Sequence, residues 1–218
     1  MSLLNSFAKK YGTDKSSEVH NYCVKYEKYL NFNRYDNLNI LEIGILDGKS
    51  LLTWGECFYR SNILGIDINP DCKKFEDKEN KISVEIGSQA DSVFLNEVVG
   101  NYGPFDMILD DGSHMNEHVI YSFEHLFDSV KSGGVYIIED IGTSYWSDYG
   151  GGFREPQTSV EYFKRLCDDV NFNGVINHNK ENVHARREDW CIENAQNTCR
   201  VDIESINFLN GIIIITKR

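Results

Sequence analysis

Residues 39–68 read NILEIGILDGKSLLTWGECFYRSNILGIDI. Two short apolar runs, Asn39–Gly44 and Asn62–Ile68, flank a stretch of helical spacing over about residues 49–60. A continuous apolar run closed by glycine or a polar residue reads as a strand buried on both faces. Two such runs with a helix between them form a parallel pair with a crossover. Outward from this unit the signal repeats at Ile82–Gly87, Phe105–Asp110 and Val135–Asp140. A helix over His118–Val130 is expected to stop at Ser132-Gly133-Gly134. This β-α alternation predicts a parallel sheet with helices on both faces. Val201–Leu209 and Gly211–Lys217 are strand-like runs joined by Asn210-Gly211, a hairpin signal. The expected fold is therefore α/β, a seven-stranded, mostly parallel sheet with a C-terminal antiparallel hairpin.

A chain of 218 residues suits one domain and can bury a core without disulfide or metal staples. Residues 1–36 read as an N-terminal helical cap: a helix over 1–10, the turn Tyr11–Lys15 (YGTDK), and a helix over 18–35 carrying Tyr22, Tyr26, Tyr29 and Leu30. Residues 37–218 read as the core. Within them, 142–200 form a loop or insert region for substrate, with the glycine-rich aromatic loop Thr143–Phe153 and a helix over 157–169.

Lys and Arg total 22 against 34 Asp and Glu, a net charge of −12. So acidic a chain is a poor partner for nucleic acid or anionic lipid, which need cations. No apolar run nears the roughly 20 residues that a membrane helix needs, so no membrane insertion is expected. The six cysteines form no C-x-x-C pair or zinc spacing and read as reduced thiols. The start MSLLNSFAKKYGTDK has no long apolar core, and the expected location is cytoplasmic. A homo-oligomer is compatible with the sequence.

Glu42-Ile43-Gly44-Ile45-Leu46-Asp47-Gly48 ends the first strand in an E-x-G-x-x-x-G pattern. Glycine there lets a cofactor approach the backbone before the next helix, although a tight strand-to-helix turn needs glycine too. Asp67 lies 23 residues after Gly44, where an acid can hold the two ribose hydroxyls of an adenosine; the alternative is a helix cap. After the third strand, Ser88, Gln89 and Asp91 lie where an adenine edge would be bound, with capping again the alternative. The candidate cofactor residues are Glu42, Gly44, Gly48, Ser50, Asp67, Ile68, Ser88, Gln89, Asp91 and Asp110. By themselves they do not choose between a nicotinamide and S-adenosylmethionine. The missing middle glycine and the terminal hairpin disfavour a dinucleotide-binding oxidoreductase.

The fourth strand ends Asp110-Asp111-Gly112-Ser113-His114, and the fifth ends Glu139-Asp140. In a parallel sheet these ends share the ligand-binding edge. Clustered carboxylates repel one another and raise their own pKa values, which a divalent cation relieves; all-oxygen ligation suits Mg²⁺, or Mn²⁺ or Ca²⁺. His114, three residues past Asp111, can take a proton from a hydroxyl held there. His114-Met115-Asn116-Glu117-His118 also matches the H-x-x-E-H of some zinc peptidases, but it follows a strand end rather than lying within a helix. Tyr145, Trp146 and Tyr149, beside Gly150-Gly151-Gly152, read as a substrate lid whose aromatic faces stack on sugar or apolar ligands. His20 reads as a further residue near the site. Arg186-Arg187 is a candidate for an anionic group on the substrate, or a solvated pair.

The stretches LEIGILDGKSLLTW, GIDI, GSQAD, ILDDGSH and IIEDIGTSYW, with YGTDK, His20 and Tyr22 before them, resemble the metal-dependent sugar O-methyltransferases of macrolide tailoring, the mycinamicin and macrocin type, and relatives acting on capsular and other surface polysaccharides. The resemblance implies a Rossmann-like class I methyltransferase fold, S-adenosylmethionine and Mg²⁺ as cofactors, metal ligands at Asp111, Glu139 and Asp140, and a general base at His114. It implies a small-molecule or glycan sugar as acceptor, in polysaccharide or natural-product biosynthesis. With a chain this short, a capsule or nucleotide-linked sugar is expected ahead of a macrolide. A catechol-like or diol O-methyltransferase is the alternative within enzymes, and a nicotinamide-dependent oxidoreductase the alternative outside them.

Overall fold

Each apolar run becomes a strand in the computed structural model, which describes residues 2–171, 200 and 202–218. The parallel strands are β1 (Asn39–Ile43), β2 (Asn62–Asp67), β3 (Ile82–Ile86), β4 (Phe105–Asp110) and β5 (Val130–Ile138). The hairpin β6 (Ile203–Leu209) and β7 (Ile212–Lys217) turns at Asn210-Gly211, and β7 pairs antiparallel with β5. Gly211 adopts φ +84° there, in the left-handed region that glycine enters without steric cost. The sheet order is β3-β2-β1-β4-β5-β7-β6, the seven-stranded layout read from the sequence. The order reverses direction between β1 and β4, and at such a switch point the two crossovers leave on opposite faces and open a crevice.

Alternate residues of the strands feed two cores. Ile40, Met107, Ile137 and Ile214 pack on one face with Trp54, Tyr26, Leu4 and Ala8. Leu41, Ile108, Tyr136 and Ile213 pack on the other with Phe123, Phe163 and Val98. Helices α1 (Leu3–Tyr11), α2 (Tyr22–Tyr26) and α3 (Lys49–Cys57) cover the first face. Helices α4 (Ser92–Tyr102), α5 (Asn116–Leu126) and α6 (Ser159–Arg165) cover the second, followed by the short α7 (Cys167–Val170). Residues 3–26 thus supply part of the first core. Among the described residues no helix is long and apolar enough to cross a membrane.

Three expectations change. The helix expected over 18–35 shrinks to Tyr22–Tyr26. Asn33 and Asp36 bond nearby backbone amides instead, Asp36 Oδ2 accepting from Asn33 N at 2.7 Å and Asn33 Oδ1 from Tyr35 N at 3.0 Å; such local bonds compete with helix. Ser132-Gly133-Gly134 does not stop a helix. Helix α5 already ends at Leu126, and the glycines lie inside β5. The pairing of β4 with β5 jumps there from Phe105↔Val130 to Met107↔Val135, so the glycines serve a bulge. Between β2 and β3 the alternation is broken by a 3-10 turn, Pro70–Phe75, because that polar link has little beyond Cys72 and Phe75 to bury. Arg186-Arg187 and residues 172–199 of the expected insert lie outside the described residues.

Candidate active site

A cavity of about 210 Å³ opens at the switch point, between the ends of β1, β2, β3 and β4. Ile43 and Ile66 contribute apolar wall, and Gly44, Asp67, Ile68, Ser88 and Gln89 also line it. Gly44 is required twice over. Its φ is +80°, and a Cβ there would stand 2.2 Å from the Asp111 carbonyl oxygen. Asp67 Oδ2 accepts from the amides of Ile45 (3.0 Å) and Leu46 (3.3 Å), so it holds the glycine turn in shape. Gln89 is tied inward: Nε2 donates to both Asp110 oxygens (3.1 and 3.3 Å) and Oε1 accepts from Ser113 N at 2.7 Å.

The other candidate cofactor residues do not line this cavity. Asp91 caps α4 by accepting from Val93 N and Phe94 N. Asp110 is buried, accepting from Ser122 Oγ at 2.5 Å as well as from Gln89. Glu42 is fully buried, and its Oε2 accepts from Trp54 Nε1 at 3.1 Å; Ser50 is buried on the turn of helix that follows. Gly48, at φ +72°, starts α3 where the Phe75 ring leaves no room for a Cβ.

The second half of the site adjoins the first through one peptide, since Gly112 lines the cavity and Asp111 faces the acids. Asp111, His114 and Asp140 bring one ligand atom each within 4.8 Å of one another. His114 Nε2 lies 3.8 Å from Asp111 Oδ1 and 3.9 Å from Asp140 Oδ2. His114 (φ +57°) and Asp140 (φ +47°) both adopt left-handed backbone, a strained choice for such residues that tertiary contacts must hold.

The N-terminal segment holds Asp111, Glu139 and Asp140 in place. Helix α1 ends at Gly12, at φ +73°, and the chain then delivers Lys15 into the sheet edge. The Lys15 carbonyl accepts from Cys23 N at 2.9 Å, which pins the YGTDK turn to α2. Its ammonium, 3% exposed as a residue, donates to Asp111 Oδ2 and to Glu139 Oε2 (2.8 Å) and lies 3.6 Å from Glu42 Oε1. Tyr22 donates to Asp140 Oδ1 at 2.6 Å, and His20 stacks behind it at 5.1 Å between ring centroids. Lys15 and Tyr22 therefore each engage one oxygen of an acid, and the other oxygen of Asp111 and of Asp140 faces His114. Glu139 is turned to Lys15 through Oε2, and its buried Oε1 has no hydrogen-bond partner among the described residues.

Three carboxylates thus surround one ammonium. Burial works to lower the Lys15 pKa, but the charges of Glu139, Asp111 and Glu42 outweigh it and hold it well above its ordinary value. Burial pushes Glu42 and Glu139 up to about 7 against the pull of Lys15, and raises Asp111 as well. Burial and the bond to Asp140 push Tyr22 up, so it stays a donor. An unpartnered buried carboxylate oxygen and an excess of negative charge are what a divalent cation relieves. The donor set fits such an ion.

The aromatic loop runs past this edge as 3-10 turns over Ile141–Tyr145 and Ser147–Tyr149. Tyr149 lies 6.5 Å from the His114 ring and 5.9 Å from Trp146. Tyr145 and Trp146 are exposed, as is Phe153, 6.3 Å from Tyr145. Sequence reasoning missed Lys15 as a site residue, although it sits in a motif already singled out. His118, which entered the sequence reading only through the H-x-x-E-H match, lines the cavity.

Residues 41–141 match the family model described as a methyltransferase domain. Residues 41–141 form a methyltransferase domain. The chain is 37% identical over 177 residues to demethylmacrocin O-methyltransferase of Streptomyces fradiae, covering 77% of this chain and 44% of the relative. It is 30% identical over 223 residues to 8-demethyl-8-alpha-L-rhamnosyl tetracenomycin-C 2'-O-methyltransferase of Streptomyces olivaceus, covering 99% of this chain and 54% of the relative. Among solved structures, the MycE methyltransferase of the mycinamycin biosynthetic pathway, in complex with Mg, SAH and mycinamycin VI, superposes with a TM-score of 0.79. The identity is 28%, over 98% of this chain and 54% of that one. The chain spans about half the length of the curated relatives it matches.

Proposed function

We propose that this methyltransferase domain, acting as one unit over residues 1–218, transfers the methyl group of S-adenosylmethionine to a sugar hydroxyl with the help of Mg²⁺. The observation that carries the reading is the junction of the two half-sites: Gly112 lines the switch-point cavity while its neighbour Asp111 joins His114 and Asp140 in the acid cluster. A cofactor in the cavity would present its methyl group to an acceptor held at the acids. The relatives named above act on glycosylated macrolide or tetracenomycin compounds, which supports a sugar on a small molecule as the acceptor.

Asp111, Glu139 and Asp140 are the residues that would hold the metal; when bound, it supplies charge that lowers the pKa of an acceptor hydroxyl. His114 takes the hydroxyl proton at Nε2 as the oxygen attacks the methyl carbon. The carbon–sulfur bond breaks as the carbon–oxygen bond forms, and the sulfonium leaves as a neutral thioether. Tyr149 and Trp146 stack on the apolar face of the sugar. Most of the rate enhancement comes from holding oxygen, methyl and base in line.

The test is transfer of labelled methyl from S-adenosylmethionine to a panel of glycosides, nucleotide-linked sugars and oligosaccharides, with and without EDTA. Activity lost in EDTA and restored by Mg²⁺ is the expected result. Full activity in excess EDTA would overturn the metal assignment, and tight NAD binding without S-adenosylhomocysteine binding would overturn the cofactor.

A further inference from the structure

The cavity wall contains a histidine that the reading above does not use. His118 lies in the first turn of α5 (Asn116–Leu126), with its side chain 32% exposed, and is one of the residues that line the cavity. Gln89, the residue whose type best suits an adenine edge, has both amide hydrogens and its carbonyl engaged by Asp110, Ser122 and Ser113 N. A side chain committed on both its donor and its acceptor atoms has little left to offer a ligand. His118 is different. Its Nδ1 lies 2.9 Å from Ser113 Oγ, and that oxygen already accepts from Met115 N at 3.3 Å. With Ser113 donating to Nδ1, the ring carries its proton on Nε2. The nearest charged group to Nε2 is Glu117 Oε1 at 3.7 Å, beyond hydrogen-bond distance, on a side chain 80% exposed.

We propose that His118 recognises the cofactor, donating from Nε2 to an acceptor atom of its adenosine moiety, while Gln89 braces the wall by joining Asp110 to the Ser113 backbone. The proposal rests on the reading of the cavity as the S-adenosylmethionine site. It makes His118, not Gln89, the polar side chain that selects a purine nucleoside on this wall. Ser113 sets the tautomer.

Calorimetric titration with S-adenosylhomocysteine tests this on the wild type and on His118→Ala, His118→Phe and His118→Gln, with ligand-free melting of each variant as a fold control. His118→Ala should weaken binding about tenfold, the scale of one hydrogen bond. His118→Phe, which keeps a flat ring but no donor, should lose as much. His118→Gln, which restores a donor, should stay within about threefold of wild type. Affinity unchanged in His118→Ala, or retained in His118→Phe, overturns the donor role while leaving the cofactor reading standing. A wild type that binds no S-adenosylhomocysteine overturns the cofactor reading, and the proposal with it.

Discussion

Replacing Lys15 with Met removes the one ammonium buried among Glu42, Asp111 and Glu139 and keeps a side chain of similar length. Breaking a buried ion pair by deleting one partner costs about 3–5 kcal/mol, because the remaining charge is stranded. Here three carboxylates are stranded together, so the upper part of that range is expected at pH 8.5. The loss should depend on pH in a definite direction. Glu42 and Glu139 are already held up to about 7 by burial, with Lys15 pulling them down; without it they rise further. A carboxyl whose folded pKa lies above its unfolded value near 4.5 binds its proton more tightly in the native state. Its contribution is therefore fully present below about 4.5 and is lost as pH climbs through the folded value. Each such group changes stability by at most about 1.4 kcal/mol per pH unit. The deficit of the variant should thus be several kcal/mol smaller at pH 6 than at pH 8.5, both above the isoelectric point near 4.9. Urea unfolding in EDTA, followed by tryptophan fluorescence, reads it directly. With a slope of about 2–3 kcal/mol/M the midpoint should fall by roughly 1–2 M at pH 8.5. A variant as stable as wild type at pH 8.5, or one whose deficit is equal at both pH values, would refute the reasoning.

Other perturbations probe the remaining parts of the site. Gly44→Ala forces a side chain onto the Asp111 carbonyl at φ +80°; it should cost about 2–4 kcal/mol in urea unfolding and weaken S-adenosylhomocysteine binding. His114→Ala should lower kcat by about 10²–10⁴, the usual worth of a general base, with cofactor affinity retained because His114 does not line the cavity. Steady-state kinetics paired with calorimetry check both halves of that expectation. Trp146→Ala, at a position 58% exposed, should raise the acceptor KM while changing stability by no more than about 0.5 kcal/mol; unchanged kinetics would return the loop to a merely structural part.

The chain's local chemistry determined its framework. NILEIG, NILGID and FDMILD are apolar runs too short for helices and closed by glycine or acid, and they become β1, β2 and β4 at those places. Asn210-Gly211 turns the terminal hairpin, and the acids at the ends of β4 and β5 meet because parallel strands share an edge. What was misread was also local: Asn33 and Asp36 bond the backbone beside them in place of a helix over 33–36, and Ser132-Gly133-Gly134 gives the same glycine signal whether it stops a helix or bulges a strand.

Only the tertiary structure decided how the side chains at that edge are shared out. Lys15 is 96 residues from Asp111 and 124 from Glu139, and Tyr22 is 118 from Asp140. Hydropathy would leave a lysine in a YGTDK turn in solvent, and no period along the chain marks it for burial. It is buried because α1 and α2 pack on the first core and bring the turn over the carboxyl ends of β1, β4 and β5, where the charge of the acids offsets its desolvation. Gln89 and Asp67 have the residue types for a cofactor, yet Gln89 is spent on Asp110 and Ser113, and part of Asp67 on the glycine turn. Residue type sets what a side chain can bond; which partner it bonds is set by packing between segments far apart in sequence, and local patterning contains no term for that.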